Sequence, residues 1–279
     1  MEDLPDHFRF VYAKIIGDIN TLYGKKIKNS KIFDKQTGAG KPELVEHIDI
    51  NGMYTFIIRK GKALGWEQIN IISKDEVNCG TISIDGGDAM IQTIAYDKSC
   101  ALEGLISPGG GNILLRFMLN YIIKIKDKYE IEKIIVTDKS RKRCKKINED
   151  VELSRLMMIV KGYTWYMKYG FRPYNGKSID KYKERNIKNN REKLRKLRTK
   201  NIPIVKIIKK NKINIDKREI ERLIKNNKLF RDFMIALDLQ FNRYCILIKR
   251  VQDYVYGTNI LSDVHNIQYY LDISSKYTL

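Results

Sequence analysis

Long apolar runs are missing from this 279-residue chain, which has no stretch near the roughly 20 apolar residues of a membrane-spanning helix. The first ten residues, MEDLPDHFRF, are acidic and contain no long apolar run, so we expect no signal peptide. Together these absences predict an intracellular, cytoplasmic protein that does not contact a membrane.

Cysteine and histidine are scarce. The four cysteines, Cys79, Cys100, Cys144 and Cys245, are widely spaced and form no CxxC pair. We therefore expect reduced thiols, of the kind that are usually buried and inert. The three histidines lie far apart in sequence, which argues against a His-rich metal site. We expect no bound metal.

Acidic residues are few relative to basic ones, and the net charge is +20. The segment Lys177–Arg231 holds 21 of the 53 basic residues and only 6 of the 33 acidic ones. Such a segment can attract nucleic acid or another polyanion. Lys, Asn and Ile are also the residues that an AT-rich genome encodes most often, so a solvated basic surface without a partner is the alternative.

Residues 53–102 have a pattern typical of an antiparallel meander. YTFIIRK, INIISK, GTISID and AMIQTIAYD are rich in β-branched residues and separated by turn signals. Gly86 and Gly87 in IDGGDA predict a tight hairpin turn, because glycine takes positive φ at little cost. We expect the last strand to end near residues 100–102.

The next stretch, SPGGGNILLRFMLNYII, joins a glycine run to an amphipathic helix. Its apolar residues recur at intervals of three and four: Leu114, Phe117, Met118, Tyr121, Ile122 and Ile125. KIIVTDKS then predicts a buried strand. A strand, a crossover helix and a strand imply a parallel pair inside a mixed sheet.

The C-terminal half is predominantly helical in pattern. VELSRLMMIVKGYTWYMKYGF predicts one helix with an apolar stripe of Leu153, Leu156, Met157 and Val160. Residues 175–231 are polar and helix-prone, with a break at Pro203, and the spacing over 229–241 predicts another helix. YCILIKRV fits a helix or a strand. We predict an α+β fold with a mixed, mostly antiparallel sheet, in a domain over 1–175 (core about 45–175), followed by a basic helical lobe over 176–279.

Glycines at a helix start allow two interpretations. The N-terminus of a helix leaves backbone N–H groups unpaired and attracts anions, and glycine permits close approach. A flexible connection is the alternative. The spacing lacks the third glycine of a G-x-G-x-x-G fingerprint, because Leu114 stands in its place.

The order of strand, GGGNILL helix, IIVTD strand and a segment ending in YMKYGF resembles the GNAT family of acyl-CoA N-acyltransferases. The resemblance covers about residues 50–175. It implies acetyl-CoA as co-substrate, an amine acceptor that the sequence does not identify, and direct attack of that amine in a ternary complex. The run from Asp138 to Phe171 also resembles GNAT-like proteins of large DNA viruses, which implies a place in the host cytoplasm or the virion.

The resemblance also assigns roles to individual residues. Backbone amides wrap the pyrophosphate of the cofactor, at Gly109, Gly110, Gly111, Asn112 and Ile113. The backbone at Cys100 and Leu102 contacts the pantetheine arm, and the two parallel strands splay apart around it. Tyr166 protonates the departing thiolate, with packing in an aromatic core as its alternative role, while Phe171 packs in the core. Asp97 and Glu103 are candidates for the general base, which stays unassigned.

Two positions depart from the family pattern. Ile106 stands where the family has Arg or Gln, and Pro108 has no N–H to offer a phosphate. They leave two alternatives open. One is an inactive GNAT-fold protein that binds nucleic acid through Lys177–Arg231, and the other is a virion structural or interaction protein.

Overall fold

The computed structural model describes residues 44–50, 54–63, 65–73, 77–94 and 110–274. The chain divides into two compact units. Of the described residues, the first contains those up to Thr137 and from Tyr270 onward, and the second runs from Asp138 to Tyr269. The predicted boundary between residues 175 and 176 lies inside the second unit and stays a prediction.

A mostly antiparallel sheet forms the first unit. Its strands are β1 (Leu44–Ile50), β2 (Tyr54–Ala63), β3 (Trp66–Ser73), β4 (Asn78–Asp85), β5 (Asp88–Ile94) and β6 (Lys133–Thr137). Neighbours from β1 to β5 pair antiparallel, which confirms the predicted meander and adds β1 to it. Branched side chains such as Ile58, Ile69 and Ile82 are buried. Residues 79–84 of β4 are all buried, and because successive side chains point to opposite faces, this central strand is covered on both faces.

The turn between β4 and β5 is the predicted glycine hairpin. Gly86 and Gly87 have φ of 51° and 88°, and Asp85 pairs with Asp88 across the turn. A Cβ atom at Gly87 would lie 3.2 Å from the backbone oxygen of Glu130. Both the positive φ and this close approach therefore require glycine at position 87.

Helix α1 (Gly110–Ile125) leads to β6. β5 and β6 pair in parallel, which confirms the predicted parallel pair. The predicted apolar stripe of α1 is buried, from Leu114 to Ile125. Gly80 in β4 makes room for it, since a Cβ there would lie 3.2 Å from the Met118 sulfur.

The second unit is mainly helical. Its elements are β7 (Arg141–Cys144), β8 (Glu149–Glu152), α2 (Leu153–Lys161), β9 (Arg172–Pro173), α3 (Lys181–Lys196), α4 (Ile204–Lys210), α5 (Lys217–Asn226), α6 (Phe230–Asp238) and α7 (Phe241–Gly257). β10 (Gln268–Asp272) starts in this unit and ends in the first. The backbone of Tyr174, just after β9, donates to Gln268 at 2.8 Å, and Ile273 donates to Glu132 in the first unit at 2.8 Å.

Helices α6 and α7 supply much of the core of the second unit. Phe230, Phe233 and Leu237 of α6 are fully buried, as the spacing predicts. The ambiguous YCILIKRV segment is helical: buried residues Leu247, Ile248 and Val251 lie at helical intervals.

The predicted helix over residues 151–171 is wrong in its length. Gly162 ends α2 with a φ of 79°, and its N–H donates to the oxygen of Met158 at 3.0 Å. This left-handed cap is a common helix terminus, and only glycine adopts it readily. Leu156 and Val160 are buried as predicted, whereas Leu153 and Met157 are half-buried.

Candidate active site

The first turn of α1 contains four of the predicted cofactor-binding residues: Gly110, Gly111, Asn112 and Ile113. The first N–H groups of a helix have no intrahelical acceptor, and the helix dipole there favours an anion. No acidic residue lies in this turn, so its backbone suits a phosphate group. The remaining sequence-predicted positions of this site lie outside the described residues: Asp97, Cys100, Leu102, Glu103, Ile106, Pro108 and Gly109.

The pairing of β5 with β6 stops before β5 ends. The last paired residues are Ile91 and Val136, whereas β5 continues to Ile94 against β4. The register between β4 and β5 shifts at Gln92, as in a β-bulge. A bulge bends and twists its strand, and this one lies where the parallel pairing ends.

Tyr166, the predicted general acid, lies in the second unit on a 3₁₀ turn (Tyr166–Tyr169). Its side chain is only 4 % exposed. Its ring packs against Trp165, Phe171 and Tyr269, with centroids 4.9, 5.8 and 6.1 Å away. Phe171 is buried as predicted, and Tyr166 belongs to the same aromatic cluster.

Asp138 is a buried carboxyl group that the sequence pattern does not identify as part of a site. It follows β6, and its N–H donates to the oxygen of Ile267 at 3.0 Å. Its Oδ1 accepts hydrogen bonds from the backbone N–H (3.1 Å) and hydroxyl of Ser140. Its Oδ2 is buried without a hydrogen-bond partner among the described residues. The usable signal in the sequence is a carboxylate placed directly after the compact apolar strand KIIVT.

The electrostatic environment couples Asp138 to two tyrosines. Burial raises the pKa of Asp138, and hydrogen bonds from Ser140 oppose that shift. Burial also raises the pKa of Tyr166 and of Tyr269, and the charge of Asp138 adds to both shifts. The Tyr269 hydroxyl accepts a hydrogen bond from Thr164 Oγ1 at 2.8 Å. Both tyrosine hydroxyls therefore stay protonated at neutral pH.

A second polar group lies at the start of α2. His265 Nδ1 is 3.1 Å from Oε2 of Glu152, and Nε of Arg141 is 3.7 Å from the same oxygen. The buried amide of Gln252 fixes the backbone of Glu152, because Nε2 donates to its oxygen at 2.8 Å and Oε1 accepts from its N–H at 3.3 Å. The charges of His265 and Glu152 also act on Asp138.

The prediction that all four cysteines are reduced is wrong for one pair. Cys144 and Cys245 form a disulfide between β7 and α7, with Cα atoms 5.5 Å apart. Cys79 is a buried cysteine outside this disulfide, and Cys100 lies outside the described residues. Because the two cysteines lie 101 residues apart, their spacing in the sequence does not indicate that they pair. Because its sulfur is bonded, Cys144 has no thiolate to act as a nucleophile.

Within the described ranges, two structural features are absent: a cluster of metal-binding side chains and a membrane-spanning helix. In those ranges no group of three or more His, Cys, Asp or Glu side chains could hold a metal ion. None of the helices described there has the length and apolar character needed to cross a membrane.

Comparison of the chain with protein-family models, curated proteins and solved structures finds no match.

Proposed function

We propose that the protein is an acetyl-CoA-dependent N-acetyltransferase. The observation that carries the proposal is the parallel β5–β6 pair in the first unit, whose pairing ends beside a bulge at Gln92. The chain between these strands includes α1, which begins with Gly110 and Gly111. This is the arrangement that the GNAT resemblance implies for a cofactor site.

Backbone groups would hold the cofactor in this proposal. The amides at the start of α1 would bind the pyrophosphate, and the backbone at Cys100 and Leu102 would contact the pantetheine arm. An anion held by backbone N–H groups needs no basic side chain at the position of Ile106. The missing N–H of Pro108 lowers the number of available donors.

The reaction would be a direct acyl transfer. The amine attacks the thioester carbonyl carbon, a C–N bond forms and the C–S bond breaks. The nitrogen loses one proton to an unassigned base, and the thiolate takes one proton from a general acid, a role that we propose for the Tyr166 hydroxyl on the resemblance alone. Burial raises the pKa of Tyr166, so its hydroxyl stays protonated at neutral pH and is a weaker acid than an exposed tyrosine. The disulfide at Cys144 favours direct attack over an acyl-enzyme on that residue.

Calorimetric titration with acetyl-CoA tests the proposal. We expect saturable binding, at least about tenfold tighter than that of acetyl-pantetheine, which lacks the pyrophosphate, because one lost charge-assisted contact costs about 1.5–3 kcal/mol. Release of free thiol with a panel of amines would then identify the acceptor class. No binding at millimolar acetyl-CoA would contradict the proposal.

A second candidate function is a non-enzymatic protein of the same fold that binds nucleic acid. The departures at Ile106 and Pro108 and the exposed cations of the segment Lys177–Arg231 favour it. The two candidates differ in one result, because only the enzyme releases thiol from acetyl-CoA when an amine is added.

A further inference from the structure

The outward face of α3 presents a row of charged side chains. Its members are exposed and recur at intervals of four and three residues: Lys181, Arg185, Lys188, Glu192 and Arg195. The opposite face is buried through Ile187, Asn190 and Leu194. The helix therefore has one side packed in the second unit and one side of four cations and a single acid facing solvent.

Two acidic side chains at the start of α3 are engaged within the protein. Asp180 caps the N-terminus of α3. Glu184 accepts a hydrogen bond from Arg172 at 2.9 Å. Of the acidic residues of α3, only Glu192 lies in the outward row. A merely solvated surface more often intersperses both signs.

The basic character continues beyond α3 in the chain. Residues 193–215 contain nine basic residues and no acidic one. All nine are exposed: Lys193, Arg195, Lys196, Arg198, Lys200, Lys206, Lys209, Lys210 and Lys212. They extend over the end of α3, the turn Thr199–Asn201 and α4.

The dimensions suit a phosphate backbone. Lys181 and Arg195 lie 14 residues apart on one helix, which at about 1.5 Å per residue is about 21 Å. That length corresponds to about six successive phosphates along one strand, at about 3.4 Å of axis each. Tyr182 is 68 % exposed beside this row, and an exposed aromatic ring can stack on a base of a single strand.

We propose that the outward face of α3, together with the acid-free run 193–215, binds the phosphate backbone of nucleic acid without reading its sequence. The binding is electrostatic, so affinity falls steeply with salt. It does not require the proposed acetyl transfer and is measured in the absence of acetyl-CoA. Failure of either proposal is therefore distinguishable from failure of the other.

The test is fluorescence anisotropy with a labelled 20-nucleotide strand, alone and as a duplex, from 50 to 300 mM salt. One variant carries Lys181→Gln, Arg185→Gln, Lys188→Gln and Arg195→Gln. Its matched control loses the same charge from exposed positions elsewhere, through Lys124→Gln, Lys128→Gln, Lys139→Gln and Lys145→Gln. Gln has a helix propensity close to that of Lys and Arg, and circular dichroism checks that both variants fold.

We expect the face variant to bind about 100-fold more weakly at low salt. Its salt slope should fall by about 3 to 4, since each of the four lost phosphate contacts removes about 0.7 from the slope on a single strand and about 0.9 on a duplex. The control should stay within about threefold of the unaltered protein. Preference for the single strand would support stacking on Tyr182, and preference for the duplex would support the phosphate row alone. Three results would overturn the proposal: an equal loss of affinity in both variants, no binding at 50 mM salt, or full competition by polyglutamate.

Discussion

At the scale of single residues, Asp138 is completely buried, and its Oδ2 atom has no hydrogen-bond partner among the described residues. A buried carboxyl avoids the cost of an unpaired charge by holding its proton, which is why burial raises its pKa. Its charge acts on Tyr166 and Tyr269. The protonation state of Asp138 therefore affects the hydroxyl that we assign to catalysis.

Asp138→Asn should change how stability depends on pH. Because the pKa of Asp138 is raised in the folded state, the unfolded chain binds fewer protons between the two pKa values. Stability from this group is present below the unfolded pKa, near 3.8, and is lost as pH rises through the folded pKa.

The Asn variant has no titrating group at this position, so it should not lose stability in this way as pH rises. Its stability relative to the unaltered protein should improve with rising pH by up to about 1.4 kcal/mol per pH unit within that window. Urea unfolding at several pH values from 4 upward measures it. Exposed Asp127→Asn serves as the control for charge removal, and the same pH trend in both variants would contradict the account.

Tyr166→Phe should lower kcat by about 10²–10⁴, the usual contribution of a general acid, with little change in the KM for acetyl-CoA. The ring contacts are retained, so the melting temperature should change little. Tyr163→Phe removes a hydroxyl nearby in the chain and should keep the activity. Thiol release measures both variants, and equal rates for Tyr166→Phe and the unaltered protein would remove Tyr166 from the mechanism.

At the scale of elements, the sequence pattern predicts those structural features that depend on residues close together in the chain. The Gly86–Gly87 turn, the α1 stripe and the parallel strand pair all follow from residue spacing. The β7–β8 hairpin does not, because RKRC and EDVE are charged and lack strand periodicity. Tyr166 is displaced from its predicted helix by Gly162, whose effect depends on a left-handed φ that periodicity does not reveal.

Gly87→Ala should destabilise the β4–β5 hairpin. The substitution places a side chain at a φ of 88° and 3.2 Å from the Glu130 oxygen, and the left-handed conformation alone costs about 1–2 kcal/mol. Gly61→Ala is the matched control, because a Cβ there meets nothing within 4 Å. In urea unfolding, the free energy of unfolding of Gly87→Ala should be lower than that of Gly61→Ala by at least about 1 kcal/mol. Equal free energies of unfolding would contradict the turn geometry.

The disulfide between β7 and α7 should stabilise the folded chain. Closing a loop of this length restricts the unfolded state by about 3–5 kcal/mol. We expect dithiothreitol to lower the melting temperature, and Cys144→Ala with Cys245→Ala to lower it similarly and make it insensitive to the reductant. Thiol titration of denatured protein should find two more thiols after reduction, and an unchanged number would contradict the pair.

At the scale of the whole molecule, the sequence indicates the α+β class, and its change in composition does not coincide with the boundary between the compact units. Composition changes near residue 175, where the basic segment starts, whereas the compact units divide after Thr137. No linker composition marks that point, because a buried strand leads directly to buried Asp138. The contacts that define the second unit join residues about 100 positions apart, such as Arg250 with Glu149, and local patterns do not report them.

The central claim is that the backbone at the start of α1 binds acetyl-CoA, and a glycine-labelled NMR titration tests it most directly. The chain has 18 glycines, and Gly110→Ala and Gly111→Ala assign the two signals of interest. The account predicts that both amide signals shift saturably with acetyl-CoA while those of Gly61 and Gly65 stay in place. Unchanged Gly110 and Gly111 signals at millimolar acetyl-CoA would contradict it.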